Sequence, residues 1–86
     1  MKLKHDFLVR KIGGENVLVP VGKTVSYFNG LIMINDMGLY IWENIEQVED
    51  ENEMLKKILS EYEIDEKTAK SDMEEFLDTL RKADII

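Results

Sequence analysis

The hydrophobic pattern of this chain changes period at a single place, Asn35, and no other feature constrains the fold as much. Up to Ile34 the apolar residues come in short runs rich in β-branched and aromatic types, whereas from Met37 onward they recur every three to four residues. Side chains repeat every second residue along a strand and every 3.6 along a helix, so a β half must precede an α half. Phe7-Leu8-Val9-Arg10-Lys11-Ile12 and Glu15-Asn16-Val17-Leu18-Val19-Pro20-Val21 flank the pair Gly13-Gly14, which reads as a hairpin. Pro20 has no amide to give a ladder, so it marks the end of the second strand or leaves one side of it unpaired. After the turn residues Gly22-Lys23-Thr24, a third β-like stretch runs to Ile34 and includes Phe28, Leu31, Ile32, Met33 and Ile34.

In the α half, Asn35 can accept from the first free amides of a helix and Asp36 suits the positive end of its dipole. The spacing predicts a first helix over about 36–46, with Met37, Tyr40, Ile41, Trp42 and Ile45 as its apolar positions. Gly38 in its first turn removes the side chain that would hold this turn away from the sheet. Asp50 with Glu53 has capping-box spacing and opens a second helix over about 51–62. Asp65 caps a third over about 66–82, whose residues Ala69, Met73, Phe76, Leu77 and Leu80 form one apolar stripe. Three short strands followed by three helices make an α+β domain. The tight connection between the last two helices gives it a winged-helix-turn-helix-like character. At 86 residues the chain is expected to be a single domain over 1–86, with residues 1–6 flexible.

The residues needed for catalysis are missing. There is no cysteine, and the one imidazole, His5, lies in the N-terminal segment away from any nucleophile pattern. Glu49-Asp50-Glu51 and Glu74-Glu75 are expected to face water rather than hold a metal. Gly13-Gly14 leads into a strand, not a helix, so it is no phosphate loop. Tyr40, Trp42 and Tyr62 sit at core spacing and read as packing. The expectation is a non-enzyme with no cofactor. No apolar run approaches the roughly 20 residues of a membrane span and no secretory h-region follows Met1; the expected location is the cytoplasm.

The net charge of −7 is uneven: residues 1–42 sum to +2 and residues 43–86 to −9. Nucleic-acid affinity depends mainly on Lys and Arg neutralising phosphates. A recognition helix at 66–84 would set Lys67, Lys70, Arg81 and Lys82 against Glu66, Asp72, Glu74, Glu75, Asp78 and Asp84. That balance disfavours nucleic acid and favours protein partners. A winged-helix regulator acting on DNA or on another protein, and a purely structural subunit, stand as alternatives. Leu31-Ile32-Met33-Ile34 is the most adhesive candidate sheet edge, because consecutive large apolar residues place side chains on both faces; the other reading is that both faces are buried.

The order Gly13-Gly14-Glu15 before Val17-Leu18-Val19-Pro20-Val21, then Phe28-Asn29-Gly30-Leu31-Ile32, Ile34-Asn35-x-x-Gly38 and Ile41-Trp42, and finally Tyr62-x-Ile64-Asp65 with Asp72-x-x-x-Phe76-Leu77-x-x-Leu80 resembles the PqqD-like family over about residues 7–86. The resemblance implies a winged-helix-like, non-catalytic recognition element of ribosomally made, post-translationally modified peptides. Such an element holds the precursor's leader peptide as a strand added to the third β-strand, against the third helix, while a partner enzyme, often a radical S-adenosylmethionine protein, modifies the core. Transferred to this chain, it implies a peptide edge at Leu31, Ile32, Met33 and Ile34 and a facing helix surface from Lys70, Met73, Leu77, Leu80 and Arg81. The same edge could join two copies into a homodimer. Met33 and Met37 stand where polar or small residues are expected in the family.

Overall fold

Gly13 and Gly14 take the left-handed φ values of 58° and 82°, the backbone that a two-residue hairpin turn needs and that residues with a Cβ rarely adopt. They join β1 (Phe7–Ile12) to β2 (Glu15–Pro20) in antiparallel register, Phe7 opposite Pro20 and Ile12 opposite Glu15. The structure, a computed structural model, describes residues 1–28 and 30–86; the motif residue Asn29 lies outside them. β3 (Ile32–Ile34) pairs antiparallel with β2, giving the order β1-β2-β3 with β3 at an edge. Then come α1 (Asp36–Asn44), a single 3-10 turn over Ile45–Gln47, α2 (Glu51–Glu61) and α3 (Glu66–Lys82). Three strands precede three helices, an α+β arrangement with a winged-helix-like form.

All three helices start on the caps expected from sequence. The side chains of Asn35, Asp50 and Asp65 accept from the amides of Gly38, Glu53 and Thr68, each satisfying one of the donors a helix start leaves unpaired. Their apolar stripes meet one face of the sheet. Ile41, Ile45, Met54, Ile58, Ala69, Met73, Leu77 and Leu80 join Phe7, Leu18 and Ile34 in one buried cluster. Each large side chain taken from water there contributes about 1.5–3 kcal/mol. Tyr40 and Tyr62 meet edge to face at 5.4 Å, and Trp42 stands edge-on to Phe7 at 6.2 Å, so these aromatics are packing residues.

One expectation is corrected. The third β-like stretch is mostly not strand: Gly22–Ser26 coil into a 3-10 helix, and among the described residues of the stretch only Ile32–Ile34 pair. Gly22, at φ 60°, turns the chain. Thr24 is then buried, its hydroxyl accepting the Asp6 amide at 2.8 Å and its carbonyl accepting from Tyr27 and Phe28. Those local bonds override the β preference of Thr24 and Val25. Residues 1–6 lie against the rest of the chain. Their backbone is tied at several points: the Lys4 amide donates to the Ile85 carbonyl at 2.6 Å, the Val21 amide donates to the Asp6 carbonyl at 3.0 Å, and the Met1 α-ammonium donates to the carbonyls of Ile45 and Val48. Leu3 packs against the core.

Candidate functional site

The outer edge of β3 follows from the parity of the ladder. In an antiparallel pair, directly opposed residues alternate between exchanging both backbone bonds and exchanging none. The Val21 amide bonds to Asp6, and the β1–β2 register places these two opposite each other. Val19 and Val17 therefore also turn their backbone groups toward β1, while Leu18 and Asn16 turn theirs toward β3. Leu18 stands opposite Ile32 and Asn16 opposite Ile34, so Ile32 and Ile34 are the bonded residues of β3. Met33 lies between them, and its N–H and C=O point away from the sheet. The same parity explains Pro20: its missing amide falls on the side facing β3, beyond the three residues that β3 pairs.

Beside this edge, β3 and the start of α1 face α3 across a depression of about 150 Å³ lined by Met33, Ile34, Asn35, Met37, Asp72, Glu75, Phe76 and Thr79. Gly38 makes the close approach possible. A Cβ built there would stand 3.1 Å from the Phe76 ring and 3.2 Å from the Ile34 Cβ, tighter than ordinary van der Waals contact. The first turn of α1 thus lies so close to strand and helix that a side chain at this position would require its neighbours to give by a few tenths of an ångström. Phe76 and Met37 are half-buried, and Asp72, Glu75 and Thr79 are exposed. On α3 these residues form a second stripe with helical spacing, one flank away from the core stripe of Ala69, Met73, Leu77 and Leu80. The wall offered by α3 is therefore acidic above an apolar base.

The residues expected at the site divide into three groups. Ile32, Met33 and Ile34 form the edge strand; Met33 is 64% exposed while Ile34 is buried, which excludes the reading that both faces are covered. Leu31, 58% exposed, precedes the strand. Met73, Leu77 and Leu80 are buried to 1% or less and belong to the core, not to an open surface. Lys70 and Arg81 occupy the opposite flank of α3, eleven residues or about three turns apart. Arg81 bonds there to Glu51 of α2 at 2.5 Å and to Asp78 at 3.1 Å, and the Glu51 carboxylate holds the Arg81 guanidinium above its ordinary pKa. The structure does not bring Lys70 or Arg81 to the β3 depression. Asp72, Glu75, Phe76 and Thr79 are there instead. Asp72 and Phe76 were legible as parts of a motif, but Phe76 was expected on the buried stripe of the third helix and instead lies half-buried on its flank, facing the depression.

The arrangement is suited to holding an extended chain. Among the described residues no group of three or more His, Cys, Asp or Glu is placed to hold a metal ion, and no helix is long and apolar enough to cross a membrane. His5 stacks on Tyr27 at 5.7 Å, away from the depression. An unpaired edge offers backbone partners to a further strand, and the neighbouring depression can receive one of its side chains.

Two likenesses to known proteins accompany this geometry. The family model described as "Coenzyme PQQ synthesis protein D (PqqD)" matches residues 15–86. A solved structure described as "TbiB1 in Complex with the TbiA(beta) Leader Peptide" is similar with a TM-score of 0.69 at 24% sequence identity, covering 99% of this chain and 93% of that one, a likeness of fold. No curated protein matches the chain.

Proposed function

The chain belongs to the PqqD family, and from that premise we propose that it is a non-catalytic module that captures the leader of a ribosomally made precursor peptide by strand addition. The leader pairs with β3 at Met33, lies against α3, and is presented to a modifying enzyme, a radical S-adenosylmethionine maturase being the partner class. The observation that carries this reading is the outward N–H and C=O of Met33 beside the depression. The fold shared with TbiB1, whose structure was solved with a leader peptide, supports it.

Backbone bonds alone give little selectivity. Each contributes a net of about 0.5–1.5 kcal/mol, whereas a micromolar complex needs about 8 kcal/mol after association costs. Side chains seated between β3 and α3 must supply the difference. Against the reading of a DNA-binding regulator stand the exposed carboxylates of α3, Asp72, Glu74, Glu75 and Asp78, which would repel phosphates.

Met33→Pro tests the proposal. Pro is tolerated on an edge strand whose amide faces outward, so the variant keeps its far-ultraviolet dichroism and melts cooperatively. Calorimetry with the leader of the precursor encoded beside the gene should show at least about tenfold weaker binding, since the ring removes the donor and obstructs the added strand. Unchanged affinity in the folded variant would move the site off β3.

A further inference from the structure

We propose that the depression between β3 and α3 is a pocket for one cationic side chain, a lysine or arginine, of the added peptide. The inference rests on the peptide-capture reading above and names the chemistry that the captured strand must carry. The volume of about 150 Å³ is below the roughly 300–1,000 Å³ usual for small-molecule sites, and it suits a single side chain. The half-buried ring of Phe76 and the thioether of Met37 form an apolar base, while the exposed carboxylates of Asp72 and Glu75 stand at the rim. A long side chain with an aliphatic stem and a charged head matches that gradient. An aliphatic residue would leave the carboxylates unanswered, and an acidic one would be repelled.

The charges around the pocket have one sign. The salt bridges among the described residues join Lys4 to Asp84 and Arg81 to Glu51 and Asp78, none of which lines the depression. From the facing element, the nearest charged residue in sequence is Asp36, exposed in the first turn of α1. The positive end of the α1 dipole is already engaged, because Asn35 Oδ1 accepts from the Gly38 amide and Asp36 adds negative charge to that turn. The Thr79 hydroxyl donates to the Glu75 carbonyl at 3.1 Å within its own helix, so it does not satisfy the carboxylates. Among the described residues no lysine or arginine lines the pocket.

A display selection tests this with a library of random dodecapeptides, run against the full chain and against the Asp72→Asn/Glu75→Gln double variant. Both exchanges are nearly isosteric and on exposed positions, so folding is preserved. The wild-type protein should enrich extended apolar peptides with one Lys or Arg at a fixed position, and the double variant should lose that preference. Affinity of a selected peptide, read by fluorescence polarisation, should fall about fivefold in the double variant. The same loss should follow from Lys→Met in the peptide, with little further loss when both are combined. A Glu43→Gln/Glu46→Gln variant has the same change in net charge elsewhere, and it should bind as wild type. If peptides are captured and lost again with Met33→Pro but show no basic preference, or if the Glu43/Glu46 control loses as much affinity, the pocket inference falls while strand capture stands. If the wild-type protein enriches no peptide, the capture reading itself falls and takes this inference with it.

Discussion

Asp84 is the one residue other than glycine with a left-handed backbone among the described residues, at φ 59°. It stands just past α3, where its amide donates to Arg81 and the Ile85 amide donates to Leu80, the bond pattern of a Schellman close in which glycine is favoured. The carboxylate is pulled below its ordinary pKa of 3.8, chiefly by its hydrogen bond to Lys4. Because the native value is the lower one, the pair's contribution is present above the unfolded value and is lost as pH falls through the native one. Both partners are exposed, at 55% and 71%, so that contribution is small. Asp84→Gly removes the backbone strain and should raise the melting temperature by about 2–4 °C at neutral pH. In thermal melts followed by dichroism, the variant's advantage should widen in acid, where wild type also loses the Lys4 pair. A melting temperature lower in the variant even in acid, where neither protein has the Lys4 pair, would show that the left-handed turn is not strained.

Among the elements, α1 approaches β3 and α3 closely at Gly38. Alanine is preferred to glycine within a helix by about 1 kcal/mol, yet a Cβ at position 38 meets both the Phe76 ring and the Ile34 Cβ. The ring can turn aside, but the Ile34 Cβ is fixed to the strand backbone and cannot. Gly38→Ala should therefore lower the urea midpoint in spite of its propensity gain, and adding Phe76→Leu should restore only part of it. A midpoint raised by Gly38→Ala would mean that the strand has room to shift. This contact was half legible in sequence: Gly38 on a helix start signalled a close approach to the sheet, but nothing signalled the Phe76 ring of α3 on its other side. The helix starts were legible because Asn35, Asp50 and Asp65 act on amides three residues away. The turn at Gly22–Ser26 was not, since Thr24 owes its place to Asp6, eighteen residues earlier. Nor was the orientation of α3. The stripe of Ala69, Met73, Leu77 and Leu80 has charged residues on both flanks, and only packing decides that Asp72 and Glu75, rather than Lys70 and Arg81, look toward β3.

Across the whole molecule, the two ends of the chain are fastened to each other and to the core. Ile85 is fully buried, its carbonyl accepts the Lys4 amide, and Leu3 packs on the same cluster. Ile85→Ala leaves a cavity where both ends meet and should cost about 2–4 kcal/mol in denaturant titrations. Hydrogen exchange would show the extent of the linkage: the amides of Lys4 and Asp6 should lose protection together with the end of α3. Retained protection at Lys4 and Asp6 would mean that the N-terminal segment is held independently.

The brevity of β3 has a consequence for the positioning of a captured peptide. With a single residue, Met33, turned outward between two that are bonded to β2, the backbone edge cannot distinguish a strand from the same strand slid along by two residues. Each such slip moves everything downstream by about 6.8 Å. On the strand-capture proposal, a side chain seated in the neighbouring depression would act as the index mark of a ruler, fixing which residue of the bound peptide stands at a given distance from this edge.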